Sequence, residues 1–312
     1  MNASPLPSEI VIPFVREFEF AYGRCDAVAP QIRRVVAENP GPFTFTGTGT
    51  YIVGEGTVAV IDPGPRLETH LSALMAALAG ETVSHILVTH THADHAPLAR
   101  PLADALGGVP ILAAEPPILG QDLADTGEEG FDLDFSPDQV LTDGNRIEGP
   151  GWTLEAVATP GHTSNHLAFA LPEQNALFSG DHIMGWSTTV VIPPDGDMDA
   201  YLDSLERVRQ GGFATLWPTH GPPITDVAPF LVAYRDHRLA REAQIVGRLE
   251  AGDQTIAEIV PVLYAAVDRR LWPAAGLSVL AHLIRLSRHG IVRGTSTGNA
   301  DLPGLASRFS LV

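Results

Sequence analysis

The sequence predicts an α/β layered fold followed by a small, mainly helical C-terminal module. Three observations carry this. Apolar runs of strand length alternate with helix-periodic segments through the first half of the chain, the pattern of a layered α/β architecture. Histidines and aspartates recur just beyond the ends of several of those apolar runs, beside a Gly or Pro that turns the chain. Past residue 226 the texture changes to amphipathic helices.

The elements follow in order. Residues 10–20 and 51–61 read as strands, the second region broken by the turn Gly54-Glu55-Gly56 and ended by Asp62-Pro63-Gly64. A helix is expected over Leu67–Leu78, closed by Gly80. The apolar run Ile86-Leu87-Val88 is a buried strand, and a helix over Ala96–Leu106 ends at Gly107-Gly108. Val109–Ala113 is a short strand, and the acidic stretch 115–138 reads as loop with one short helix at most. Strands are expected at Thr153–Ala158, His166–Leu171, Ala176–Ser179 and Thr215–Trp217, with a helix over 198–210. Leu239, Ala243, Val246 and Leu249 share one helical face, so 229–251 is a helix. Thr255 is placed to cap the next, and a third runs from Leu277 to near Gly290. Ile291-Val292-Arg293 suits a short β wing, and three helices with a wing resemble a winged-helix module. The expected division is 1–226 catalytic domain, 227–294 winged-helix-like domain and 295–312 loose tail.

Composition narrows the classes. The chain has 312 residues and a net charge of −18, and all 19 basic residues are Arg. Residues 1–226 carry 9 Arg against 30 acids (−21), and residues 227–312 carry 10 against 7 (+3). Such an acidic body repels polyanions at long range, although bound cations reverse the field locally. No apolar run approaches the roughly 20 residues that span a bilayer. Residues 1–10 lack the pattern of a signal peptide, and Cys25 is the single cysteine, so a reducing, cytoplasmic setting is expected.

The chemistry concentrates in Thr89-His90-Thr91-His92-Ala93-Asp94-His95, directly after a strand. Imidazole and carboxylate suit zinc and similar divalent ions. A catalytic zinc usually takes three protein ligands, so four local donors with more downstream point to two metals side by side. The further donors lie in Pro160-Gly161-His162-Thr163, Gly180-Asp181-His182 and Pro218-Thr219-His220-Gly221, each after a strand. Ligands at the ends of neighbouring strands can converge on one edge of a sheet pair.

Together these segments resemble the metallo-β-lactamase superfamily in type, order and spacing. The resemblance implies a four-layer αββα sandwich with a dinuclear metal site at one edge. It implies that His90, His92 and His162 hold one metal, that Asp94, His95 and His220 hold the second, and that Asp181 bridges them. Within the superfamily the chain is similar to the β-lactamase-like protein 2 group over roughly 35–294. The likeness lies in residues 39–44 and 47–54, in 180–185 with Thr188-Thr189, and in His237-Arg238 to Arg241-Glu242. That group carries a C-terminal winged-helix-like module.

The expected enzyme is a metal-dependent hydrolase. Paired divalent ions (zinc, with Mn and Fe also suited) make a bridging hydroxide available at neutral pH and stabilise an oxyanion. Asp94 ligates and orients that nucleophile and serves as proton acceptor. The acidic body favours a small ester, thioester or lactone as substrate. The alternative is an endoribonuclease or phosphodiesterase, after the animal members of the resembled group. A non-catalytic metal-binding regulatory protein is the third reading. The third helix is short of Asn, Gln and Lys, so Arg285, Arg288 and Arg293 are expected in packing or homodimer contact rather than on nucleic acid. Asp62 is expected to buttress the metal loop through hydrogen bonds, while His166 and His182 are expected in ordinary packing.

Overall fold

The computed structural model describes residues 10–118, 130–295 and 303–312. Part of the acidic loop (119–129), part of the expected tail (296–302) and residues 1–9 lie outside them. In chain order the elements are β1 Cys25–Ala29, β2 Ile32–Val36, β3 Gly49–Glu55, β4 Thr57–Ile61, α1 Glu68–Ala77, β5 Thr82–Leu87, α2 Ala99–Ala105, β6 Ile111–Ala113 and β7 Gln139–Val140. Then follow β8 Arg146–Gly149, β9 Trp152–Ala158, β10 Leu167–Leu171, β11 Ala176–Gly180, α3 Met198–Gly211 and β12 Thr215–Pro218. The C-terminal part holds α4 Val227–Glu250, α5 Ile256–Leu263, α6 Trp272–Arg288, β13 Val292–Gly294 and β14 Phe309–Leu311.

β1 to β7 form one sheet in sequence order, and a second runs β12-β11-β10-β9-β8. Alternation along each strand builds the layers. On β3, Tyr51 and Val53 point into the core between the sheets, and Ile52 points outward against Leu74 of α1 and Leu102 of α2. On β10, Leu167, Phe169 and Leu171 face the first sheet, while Ala168 and Ala170 face Tyr201 of α3 and Phe230 of α4. Each large side chain buried this way contributes about 1.5–3 kcal/mol. The result is the expected αββα sandwich.

Two expectations are corrected. Residues 10–20 form no strand. Their alternation marks extended chain, but Ile12 joins the core of α3 and α4 and Val15 donates its N–H to Gly185 O at 2.9 Å, so no strand among the described residues pairs with them. The sheet begins instead with the β1–β2 hairpin, whose apolar signal is interrupted by Arg33 and Arg34. Arg33 is neutralised by Glu81 at 2.6 Å, and Arg34 is buried with Nη1 donating to Gly221 O.

α4 begins at Val227 and serves two cores: Phe230, Leu231 and Tyr234 pack on the sandwich, while Ile245 and Leu249 pack on α5 and α6. The second correction concerns the tail. Its Phe309–Leu311 pairs antiparallel with β13, and Phe309 is buried in the module's core. The wing therefore has two strands, and its second comes from a segment too short to signal itself. Thr255 caps α5 as expected, in a capping box with Glu258.

Candidate metal centre

The strand ends converge on one edge of the sandwich. The loop after β5 carries His90, His92, Asp94 and His95, that after β9 His162, that after β11 Asp181, and that after β12 His220. The sheets are stitched together at this edge. Leu167 N–H donates to Thr89 O, Gly49 N–H donates to Thr219 O, and Tyr51 Oη donates to Pro218 O, all at 2.7–2.8 Å. Two glycines permit the approach. Gly161 has φ +137°, and a Cβ there would collide with the backbone of Tyr201 at the start of α3. Gly180 has φ +52°, and a Cβ there would lie 2.6 Å from His166 Nε2.

All seven expected ligands are buried and meet. His90 Nε2 lies 2.9 Å from His92 Nδ1, which lies 3.2 Å from His162 Nε2. Nitrogens held tetrahedrally at zinc bond lengths would be about 3.3 Å apart, so this triangle has the size of a metal site. Beside it, Asp94 Oδ2 lies 3.0 Å from His220 Nε2 and 3.3 Å from His95 Nε2. Asp181 Oδ2 lies 3.3 Å from His220 Nε2 and 3.6 Å from His95 Nε2. Ligand atoms of His90, His95 and Asp181 also lie within 4.8 Å of one another, which puts Asp181 between the two groups.

Outer contacts aim the rings. Asp62 is fully buried; it accepts from Thr89 N and Thr89 Oγ1 at 2.8 Å, and from Thr219 Oγ1 and His95 Nδ1 at 2.9 Å. It is the buttress expected from the sequence, and it turns His95 Nε2 toward the site. Val190 O accepts from His162 Nδ1 at 2.7 Å and Gly47 O from His220 Nδ1 at 3.2 Å, turning both Nε2 atoms inward. His166 has a role that sequence reasoning missed. Its Nε2 accepts the N–H of Asp181 at 3.2 Å and its Nδ1 bonds Thr159 Oγ1 at 2.8 Å. Burial, reinforced by His182, keeps His166 neutral with its pKa well below the usual value, so Nε2 is free to accept. His182 is fully buried against the Tyr201 ring and does not line the cavity, as ordinary packing requires.

The electrostatics divide the cluster. Burial, with the neighbouring rings, holds His90 well below its usual pKa and His92 at about 3. Burial also lowers His162. All three present neutral nitrogens at pH 7. Burial would lower His95 and His220 too, but the carboxylates of Asp94 and Asp181 outweigh it, raising His95 well above its usual value and His220 to about 10. The carboxylate side therefore draws positive charge to itself. His95 Nε2 and Asp181 Oδ1 are buried with no hydrogen-bond partner among the described residues. Neutral imidazoles, buried carboxylates seeking cations and orphaned ligand atoms are what divalent metal ions would satisfy, so the residues fit such ions.

Comparison with known proteins agrees with this geometry. The pattern of the Metallo-beta-lactamase superfamily matches residues 44–220, more than half of the chain. The chain belongs to the metallo-β-lactamase superfamily. The pattern of the Beta-lactamase associated winged helix domain matches residues 255–299, within the C-terminal module of this superfamily member. The chain is 31% identical to the Beta-lactamase-like protein 2 homolog of Caenorhabditis elegans, over 86% of this chain and 88% of that one. It is 32% identical to the Atrochrysone carboxyl ACP thioesterase of Aspergillus chevalieri, over 77% and 75%. A metallo-beta-lactamase family protein of Thermus thermophilus superposes with TM-score 0.72 and 25% identity, over 92% of this chain and all of that one. The chain is thus a hydrolase of this superfamily with a divalent-metal cluster. Among the described residues no helix is long and apolar enough to cross a membrane.

The metal cluster forms the floor of a cavity of about 460 Å³. Phe14, Phe43 and Trp186 line its catalytic side, and Tyr264, Leu271 and Ala275 of the C-terminal module close the other. The sequence offered no means of assigning these wall residues, because they come from segments far apart in the chain. Thr188, Thr189 and Val190 also line it; Tyr234 Oη accepts from Thr189 N at 2.8 Å and donates to Ser187 O at 2.9 Å. Arg285 pairs with Glu242 and Asp199, and Arg288 with Asp197 and Asp199, so both spend their charge on joining α6 to α3 and α4.

Proposed function

We propose that this chain is a dinuclear metal-dependent hydrolase of small thioesters, esters or lactones, with thioesters foremost. The observation that carries the reading is the floor-and-wall arrangement: a seven-residue ligand cluster beneath a bounded, largely apolar cavity sized for a small molecule. His90, His92 and His162 would hold one ion, and Asp94, His95 and His220 the other, with Asp181 between them. Zinc suits this donor set, as do manganese and iron. Two such ions supply water of lowered pKa and polarise a carbonyl oxygen.

The chain's own residues do the rest. The carboxylate of Asp94 lies at the cavity floor and orients the attacking water. Phe14, Phe43, Trp186 and the α5–α6 segment hold the apolar part of the substrate and exclude bulk water. The loop 187–190, pinned by Tyr234, fixes both the cavity wall and His162. The printed name of the thioesterase relative supports a thioester. Pairing of Arg285 and Arg288 with acids leaves the third helix poorly suited to RNA.

The test is turnover by metal-replete protein of butyryl-N-acetylcysteamine, a phenyl ester, a γ-lactone and single-stranded RNA. Thioester hydrolysis is expected, with loss of at least 100-fold in Asp94→Ala and Asp181→Ala. RNA cleavage alone, or turnover of none of the four, would overturn the reading.

A further inference from the structure

We propose that Arg238 and Arg241, on one face of α4, form an anion site in the cavity wall that seats a carboxylate or phosphate group of the substrate away from its scissile bond. The two residues stand three apart on the helix and both line the cavity that has the metal cluster as its floor. Arg238 is only 3% exposed. Its Nη2 donates to Thr189 O, its guanidinium carbon lies 5.1 Å from the centre of the Tyr201 ring, and its buried Nε has no partner among the described residues. Arg241 donates through Nη1 to Gln244 Oε1 at 3.0 Å and Leu263 O at 3.3 Å, and its guanidinium carbon lies 4.4 Å from the centre of the Tyr264 ring.

Among the described residues neither guanidinium is ion-paired with a carboxylate, in a chain where acids outnumber arginines 37 to 19. The contrast with Arg285 and Arg288 on the neighbouring α6, both held by acids, is direct. The carboxylates lining the cavity are Asp94 and Asp181, which the metal cluster uses. A buried guanidinium without a counter-ion is costly to the fold, and an arriving anion offsets that cost. A planar guanidinium also binds carboxylate and phosphate through paired hydrogen bonds. His237, on the same wall, has a buried Nδ1 without a partner among the described residues. The overall charge of −18 repels anions at a distance, so this site selects only a group already carried into the cavity.

The anion has two sources: a carboxylate on the acyl portion, or the phosphates of a carrier on the thiol portion. Three non-hydrolysable thioethers separate them on metal-loaded protein by calorimetry: S-pentyl-N-acetylcysteamine, its ω-carboxylate S-(4-carboxybutyl) counterpart, and S-pentyl-coenzyme A. One anionic probe is expected to bind at least tenfold more tightly than the neutral one. That advantage is expected to fall below threefold in Arg238→Gln and in Arg241→Gln. If the buried Arg238→Gln does not fold, the less buried Arg241→Gln decides. No advantage for either anion, or an advantage that survives in the folded variants, overturns the proposal. The substrate identity rests on the hydrolase reading, but the binding ratio does not. If none of the thioester, the ester and the lactone is hydrolysed while the ratio holds, the small-molecule hydrolase reading falls and the anion site stands.

Discussion

Asp62→Asn isolates how one buried carboxylate sets a metal ligand. Asp62 has only acceptors, and four donors use them. The Thr89 backbone N–H is a fixed donor at Oδ1, so the asparagine oxygen must take that position. The amide nitrogen then faces His95 Nδ1, where the carboxylate had been. Two donors cannot face each other, so His95 moves its proton to Nε2 and accepts at Nδ1. The amide carries two hydrogens for the three groups that met Oδ2: one goes to His95 Nδ1, one threonine hydroxyl rotates to accept the other, and the remaining hydroxyl loses this partner. The nitrogen that faces Asp94 and Asp181 is now protonated. Loss of such an outer partner costs about 10–100-fold in metal affinity, or about 1.4–2.7 kcal/mol. The assay is a two-site zinc titration in competition with a chromophoric chelator, with thermal unfolding as a check on the fold. Weakening is expected at the Asp94/His95/His220 site, with the His90/His92/His162 site nearly unchanged. Two sites of undiminished affinity, or equal weakening of both, would refute the tautomer argument.

Other perturbations follow from the same contacts. His166→Ala strands the Asp181 N–H and the Thr159 hydroxyl, at a cost of about 1–3 kcal/mol each, measured as a lower urea midpoint; unaltered stability would show that these bonds carry no weight. Arg285→Ala leaves the buried Glu242 with His282 as its one side-chain partner among the described residues, and a loss of about 3 kcal/mol is expected in chemical unfolding. Burial raises the Asp197 carboxyl, but Arg288 and the N–H groups of Ala200 and Asp199 outweigh it and hold its pKa below the usual value. Its stabilisation is therefore present above the unfolded value of about 3.9 and lost as pH falls through the lower folded value. Asp197→Asn, which preserves the helix cap, should cost stability at pH 7, and the gap from wild type should narrow below about pH 4. A gap that stays constant with pH would refute that linkage. Chelation should lower the unfolding temperature of the metal-loaded protein, by about 4 kcal/mol of lost stabilisation when free metal stood at 1,000 times its Kd.

Much of the sandwich was legible because strand and helix periods differ and Gly punctuates them. Leu67–Leu78 became α1 and 198–210 became α3 within a residue or two. The elements that failed were those whose local signal and tertiary environment disagree. Residues 10–20 alternate like a strand but find no neighbour among the described strands, while β2 contains two arginines and is buried nonetheless. Phe309–Leu311 is too short to announce a strand and exists because β13 offers an edge. His166 looked like packing because nothing in the sequence links residue 166 to the backbone of residue 181.

By itself the sequence pointed to the candidate ligand residues and their strand-end placement. Those donors are chemically unmistakable, and a residue beyond a strand terminus reaches a sheet edge whatever the rest of the chain does. Tertiary structure alone decided how far apart the donors sit, which nitrogen of each ring faces inward, and what stands over them. Those depend on contacts such as Asp62 with His95 and Thr219, or Arg238 with Thr189, between residues 33, 157 and 49 positions apart. Local propensity carries no information across such separations; only the packing of the sheets and of α4 to α6 brings them together.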